Sequence, residues 1–132
     1  MKEIEYTKEN IRELCYEDNI GGIPCYIINL GKFPVAYIRL PNTHPWYGKD
    51  YSEIPEFPVN GGLTYSEPIL YLAHHYRIRG GWFLGWDYGH VGDYTAFAPN
   101  EEDHKYNIKE IFIDILKAVT FAMLEELKNE SN

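Results

Sequence analysis

Three ionisable side chains follow one another at intervals of three residues late in the chain: Asp87, His90 and Asp93. A histidine beside two carboxylates can bind a divalent metal ion, or an aspartate can orient the imidazole as a general base. Aspartates in glycine-rich turns also have a structural role, because they accept hydrogen bonds from nearby backbone amides. The spacing is less specific than an established metal motif, so both interpretations remain open.

A second candidate segment, residues 60–64, has the sequence NGGLT. Paired glycines let a ligand approach the backbone closely, and successive amides can form a concave anion site. The segment lacks the strand–loop–helix setting of a phosphate-binding loop and the glycine spacing of a dinucleotide site. It therefore predicts either a tight turn or a ligand-binding turn that uses Asn60, Gly61, Gly62 and Thr64.

Aromatic residues make up 16% of the chain, including 12 tyrosines and 3 tryptophans. These side chains combine a large apolar area with a polar group, so an excess is typical of binding surfaces as well as of cores. A planar ligand could stack on an aromatic ring. The candidates for stacking are Trp46, Trp82, Trp86 and Tyr88.

The chain is acidic, with a formal net charge of −8. This charge argues against binding to a DNA or RNA backbone, which depends on Lys and Arg releasing counterions. A pocket for one small anion is still compatible with it, because a local cluster of Arg39, Arg77 and Arg79 can override the overall field. Arg77 and Arg79 are therefore candidates for binding phosphates. The acidity would equally suit an inhibitor that occupies a basic groove on another protein.

Cysteine usage and hydropathy indicate a cellular location. Cys15 and Cys25 have neither the spacing of a redox pair nor that of a zinc site. The first residues lack the apolar run of a signal peptide, and no apolar stretch reaches the length of a membrane span. We therefore expect a cytoplasmic protein with reduced thiols and no membrane contact.

Apolar patterns predict the strands that would position these residues. Residues 23–30 and 34–40 are β-branched and aromatic runs joined by a short glycine-containing link, which predicts a β-hairpin. A further strand is expected to start within residues 59–66. Residues 82–86 are apolar on both faces and predict a central strand. Residues 69–78 fit either a short helix or the approach to a turn, and adjacent His74 and His75 would point to opposite faces of a strand.

Two helices are predicted. Thr7 is a candidate N-cap for a short helix over residues 7–16. From Tyr106 onward the apolar residues recur at helical spacing up to Leu127, with Asn107 as the candidate N-cap. The sum is a single α+β domain over residues 1–132, with a mostly antiparallel sheet of about four strands and a long C-terminal helix packed on one face.

Four stretches of the chain, at residues 37–41, 44–51, 61–65 and 82–93, together resemble a family of small proteins encoded by bacteriophages and mobile elements. The shared pattern is (H/N)GGLT(Y/F) followed by W(W/F)xG(F/W)DxxHxGD. The family has no assigned activity. Its members usually carry histidine where this chain has Asn60. Because asparagine takes no proton at neutral pH, the difference favours binding over catalysis.

The resemblance and the candidate residues lead to three hypotheses. In the first, a phage-type protein in the bacterial cytoplasm sequesters a small anionic molecule, such as a nucleotide-derived immune signal, without a cofactor. In the second, a hydrolase of such a molecule uses a divalent metal held by Asp87, His90 and Asp93, with Glu67 as the base. In the third, the acidic surface inhibits a host defence protein. A homo-oligomer with a pocket between protomers is compatible with each of them.

Overall fold

The computed structural model describes residues 3–130 and has one antiparallel sheet with one long helix. The strands are β1 Glu13–Ile20, β2 Ile23–Asn29, β3 Pro34–Leu40, β4 Tyr65–Tyr71 and β5 Arg77–Asp87. Their order in the sheet is β1-β2-β3-β5-β4. The predicted α+β class is confirmed, with five strands where about four were expected.

The predicted hairpin is formed by β2 and β3, which pair antiparallel from Cys25 opposite Ile38 to Asn29 opposite Pro34. In the link, the Leu30 amide donates to the Phe33 carbonyl at 3.1 Å. The side chain of Asn29 also accepts a hydrogen bond from the Gly31 amide at 2.8 Å. The two apolar runs and the hydrogen bonds of the turn thus agree with the predicted hairpin.

The helix predicted over residues 7–16 is wrong. Residues 13–20 instead form the edge strand β1, which folds back on β2 with Ile20 opposite Ile23. The amides of Thr7 and Ile11 donate to the carbonyls of Gly31 and Leu30, at 2.9 and 3.1 Å. The backbone groups that a helix would pair internally thus bond to the β2–β3 link, and tertiary pairing overrides the short helical pattern.

The central strand predicted over residues 82–86 is confirmed within the longer β5, which lies between β3 and β4. Residues 69–71 belong to β4 and not to a short helix. After β4 the chain makes a single 3₁₀ turn, Ala73–His75, before entering β5. The two strands pair from Tyr65 opposite Gly85 to Tyr71 opposite Arg77.

The C-terminal helix α1 spans Ile108–Glu130 and packs on one face of the sheet. Asn107 caps it as predicted: its side chain accepts from the Glu110 amide at 2.9 Å, and Glu110 accepts from the Asn107 amide at 3.1 Å. The buried helix residues are Ile108, Ile111, Ile115, Ala118, Val119 and Ala122. Within residues 3–130, no helix combines the length and apolarity that crossing a bilayer requires.

The other face of the sheet buries a second apolar cluster, which consists of Tyr26, Ile28, Val35, Tyr37, Leu70 and Phe83. β1 and β4 are opposite edges of the sheet, yet the Ala73 amide beyond β4 donates to the carbonyl of Arg12 before β1, at 3.1 Å. The sheet therefore curls around this cluster and brings its two edges together.

Candidate functional site

The two segments singled out in the sequence lie against each other at the end of β5. We name them the Asn60 loop (residues 59–64) and the Asp87 turn (residues 87–93). The Asn60 side-chain amide donates to the Asp93 carboxylate at 2.9 Å and to the Asp87 carbonyl at 3.3 Å. The Thr64 hydroxyl donates to the Asp87 carboxylate at 3.1 Å. These contacts make one unit of the two segments.

Gly61 provides the space for His90 within this unit. A β-carbon at Gly61 would lie 2.2 Å from Nε2 and 2.4 Å from Cδ2 of His90. Gly61 also has φ +70°, which side chains disfavour. Gly62 has φ +74°, with nothing within 4 Å of its β-carbon position. The loop therefore requires glycine at position 61 for both space and conformation, and at position 62 for conformation alone.

Both aspartates of the Asp87 turn are used within it. Asp87 accepts the Gly89 amide at 3.0 Å, and Asp93, which is 7% exposed, accepts the His90 amide at 3.1 Å. Nε2 of His90 lies 3.3 Å from the Asp87 carboxylate, in an orientation that forms no hydrogen bond. The His90 side chain as a whole is 38% exposed. The turn-stabilising role of the aspartates is thus the one that the contacts support.

The described residues do not show the arrangement of ligands that the hypothetical metal site requires. In the described part of the chain, no group of three or more His, Cys, Asp or Glu side chains is placed to hold a metal ion. The candidate base, Glu67, lies on β4 opposite Phe83, four positions along β5 from Asp87. At about 3.3 Å per residue, that is a separation of roughly 13 Å. The structure does not bring Glu67 to His90.

A polar network beneath the Asp87 turn joins it to α1. The Tyr88 hydroxyl donates to Asp114 at 2.7 Å and accepts from the Trp86 indole at 3.0 Å. The backbone amide of Asn60 donates to the same Asp114 oxygen at 3.3 Å. Burial, together with the hydrogen bond to Asp114, holds the pKa of Tyr88 well above its ordinary value. This network fixes the loop, the strand and the helix relative to one another.

Most of the rings predicted to stack on a ligand are covered by protein. Trp86 and Tyr88 are 1% and 0% exposed. Trp46 is 3% exposed and packs among the rings of His44, Phe57 and Phe121. Their placement therefore does not support a stacking role. Trp82 is partly exposed, and its indole donates to the Lys49 carbonyl at 2.9 Å.

The predicted arginines lie far from the Asn60 loop. Arg77 and Arg79 are exposed at the start of β5, whereas Asp87 ends it. Asp87 follows Arg79 by eight positions, so about 26 Å of extended strand separates them. Arg39 is held at that same far end, where its guanidinium donates to the Arg79 carbonyl. The glycine amides and the arginines therefore cannot bind one small ligand together.

The structure instead shows a cleft of about 880 Å³ where the two edges of the curled sheet meet. We name it the edge cleft, and it is lined by residues 10–14 and 71–77. Tyr71 and Tyr76 are 43% and 70% exposed there. The Arg77 guanidinium lies 5.4 Å from the centre of the Tyr71 ring. An aromatic surface and a cation are thus adjacent in an open cavity.

Backbone strain is concentrated in the edge cleft. Within residues 3–130, the non-glycine residues with positive φ are Arg12 (47°), His74 (58°) and His75 (62°), and all three line it. A left-handed conformation costs an ordinary residue roughly 1–2 kcal/mol. Hydrogen bonds from the Ala73 amide to Arg12 and from the Leu72 amide to Tyr76 hold these segments in place. Such strain is often found at functional sites.

The edge cleft is also basic, although the chain is acidic. Its basic lining residues are Arg12, His74, His75 and Arg77, and Glu13 is the one carboxylate among the residues described there. Neither Arg12 nor Arg77 has a carboxylate within 4 Å in the described part of the chain. Arg12 and Arg77 are therefore the arginines among the residues that line the cleft.

Comparison of the chain with protein-family models, with curated proteins and with solved structures finds no match.

Proposed function

We propose that the protein binds a small, anionic, nucleotide-like molecule in the edge cleft. The supporting observation is the local chemistry of the cleft. In a chain of net charge −8, Arg12 and Arg77 line one cavity, and no carboxylate of residues 3–130 lies within 4 Å of either guanidinium group. Exposed Tyr71 and Tyr76 stand beside them. A cavity of about 880 Å³ also falls in the size range of small-molecule sites.

A phosphate group and a planar base would engage different parts of this cleft. Guanidinium groups bind phosphate oxygens through two parallel hydrogen bonds. An aromatic ring that stacks on a base contributes about 1–3 kcal/mol and tolerates any base. Because Arg77 lies directly over Tyr71, a molecule that carries both groups gains both interactions at once.

The proposed biological use is sequestration. In the phage family that the motifs resemble, binding alone would withdraw a nucleotide-derived signal from a host effector, and it needs no cofactor. The metal-hydrolase hypothesis has no specific observation in its favour, since Asp87 and Asp93 serve the Asp87 turn. The inhibitor hypothesis likewise gains no support from a contact of the described residues.

Calorimetric titration with a panel of linear and cyclic nucleotides tests the proposal. For a ligand from this panel, we expect Arg77→Gln to weaken binding by about tenfold or more, because a charge-assisted hydrogen bond is lost. Arg79→Gln is the matched control, since Arg79 is also exposed on β5 and does not line the cleft. Absence of binding by every nucleotide, or an equal loss in both variants, would contradict the assignment.

A further inference from the structure

A second cavity lies between residues 3–6 and the beginning of α1. Its volume is about 660 Å³, within the size range of small-molecule sites. It is lined by residues 3, 4 and 6, by residue 94 and by residues 105–109, so it shares no lining residue with the edge cleft. We name it the tyrosine pocket, because its wall contains Tyr6, Tyr94 and Tyr106.

Hydrogen bonds between segments that are distant in sequence assemble this wall. The Tyr94 amide donates to the His104 carbonyl at 2.9 Å, which places Tyr94 beside residues 105 and 106. The Tyr6 hydroxyl donates to the Tyr106 carbonyl at 3.5 Å, and the rings of Tyr6 and Tyr94 pack edge to face with centres 5.1 Å apart. Within residues 3–130, the hydroxyls of Tyr94 and Tyr106 have no hydrogen-bond partner. The pocket therefore combines apolar ring surface with two polar groups that a ligand can bond.

Two ammonium groups make the tyrosine pocket basic. Lys105 and Lys109 line it, and Glu3 is the one carboxylate among the lining residues described there. Nζ of Lys105 lies 4.3 Å from the centre of the Tyr94 ring and 5.9 Å from that of Tyr6, so both rings attract this ammonium group. No carboxylate of residues 3–130 lies within 4 Å of either ammonium group. An ammonium group that contacts a ring face keeps N–H bonds with which it can donate to an anion.

Two carboxylates near this wall are engaged elsewhere. Burial, followed by the charges of Asp93 and Glu110, raises the pKa of Tyr6 to about 12, so this phenol carries no charge at neutral pH. Asp93 accepts a hydrogen bond from the Asn60 side chain at 2.9 Å, and Glu110 lies 2.5 Å from Nε2 of His104. Neither carboxylate lines the pocket. The charges that line it are thus two ammonium groups and one carboxylate.

From this chemistry we propose that the tyrosine pocket binds a small aromatic acid, that is, a planar ring that carries a carboxylate or a phosphate group. The acid group accepts hydrogen bonds from Lys105 and Lys109, and the ring packs on the tyrosine rings. An ammonium group is a compact charge without the fixed fork of a guanidinium, so it binds either acid group. The pocket and the edge cleft share no residue, so this inference does not rest on the proposed function.

Titration followed by protein NMR tests the assignment, because it detects weak binding and shows which residues respond. The probes are benzoate and phenyl phosphate, with benzyl alcohol and benzylamine as neutral and cationic counterparts. We expect the anions to shift the amide signals of residues 94 and 105–109, with dissociation constants on the order of 1 mM, and the counterparts to bind at least about tenfold more weakly. Binding of one anion alone supports the proposal and identifies the acid group. No shift with either anion, equal binding of benzyl alcohol, or shifts confined to residues 71–77 overturns it.

Substitution of Lys105 tests the charge itself. Lys105→Gln should weaken binding of the anion by about tenfold, because a charge-assisted hydrogen bond is lost. Lys105→Arg keeps the charge and the ring contact and should retain most of the affinity. Lys8→Gln is the matched control, since Lys8 is also exposed and does not line the pocket. Arg77→Gln in the edge cleft should leave this binding unchanged, which separates the two sites. Equal affinities of the Lys105→Gln and Lys8→Gln variants would contradict the assignment, and amide signals far from the pocket report whether each variant is folded.

Discussion

The imidazole of His90 packs so closely against Gly61 that a β-carbon on residue 61 would clash with it. This contact joins two segments that the hydrogen bonds of Asn60 also connect. The most motif-like part of the sequence is therefore a tightly fitted structural unit, and small changes in it should be measurable as changes in stability.

Gly61→Ala should destabilise the fold more than Gly62→Ala. Both substitutions place a side chain in a left-handed conformation, at a cost of about 1–2 kcal/mol. Only the first also displaces His90. We expect a loss of about 2–4 kcal/mol for Gly61→Ala and about 1 kcal/mol for Gly62→Ala in urea unfolding.

His90→Ala provides the control for that difference. In a His90→Ala background the extra cost at position 61 should disappear, because the methyl group then has room. If the two glycine variants still differ by the same amount there, the imidazole is not the cause.

Asn60→Asp should make stability depend on pH. The new carboxyl group would face Asp93 at the 2.9 Å that now separates amide and carboxylate. Repulsion raises the pKa of such a pair in the folded state, so the variant matches the wild type at pH below about 4 and loses stability as the pH rises through the raised pKa. Near pH 7 we expect a loss of about 2–3 kcal/mol in urea unfolding. A constant difference from pH 3 to pH 7 would contradict this account.

Tyr88→Phe should destabilise the protein at neutral pH by about 2–3 kcal/mol, because the Trp86 indole and Asp114 lose a buried partner. The raised pKa of Tyr88 means that the unfolded chain ionises first above about pH 10. The contribution of this hydroxyl is thus complete below pH 10 and declines above it, so the gap between wild type and variant should narrow. Tyr76→Phe, at a 70% exposed position, is the control and should change little.

Asn107→Ala should cost about 1 kcal/mol, because the Glu110 amide loses its capping acceptor. Asn129→Ala, at the exposed far end of α1, is the matched control and should be nearly neutral. Thermal unfolding followed by circular dichroism measures both. Equal effects would show that the cap contributes nothing specific.

The parts of the fold that the sequence predicted are those with local signals. The hairpin over residues 23–40 has two apolar runs and a turn between them, and α1 has a long stripe with a recognisable N-cap at Asn107. Residues 7–16 were assigned wrongly because the short spacing of Ile11 and Leu14 fits a helix as well as an edge strand. Pairing with β2 decides between them, and no local pattern reports that pairing.

The candidate site was harder to predict for the same reason. The Asn60 loop and the Asp87 turn each have a recognisable composition, but their contact joins positions far apart in sequence. The edge cleft combines residues 10–14 with residues 71–77, which only the curl of the sheet brings together. The left-handed backbone at His74 and His75 occurs without glycine or asparagine, and histidine, although enriched in this conformation, is a weak signal for it.

The strand order implies a place where the chain can be divided. Neighbouring strands in the sheet are consecutive along the chain except at one position, where β3 pairs with β5. The long loop that follows β3 contains Gly48. A cut at this exposed glycine leaves β1–β3 on one fragment, and β4, β5 and α1 on the other. We expect the fragments to recover the circular dichroism of the intact chain when they are mixed. The protein is in this sense a two-part assembly, joined by the β3–β5 ladder, by the buried face of α1 and by the hydrogen bond from Ala73 to Arg12.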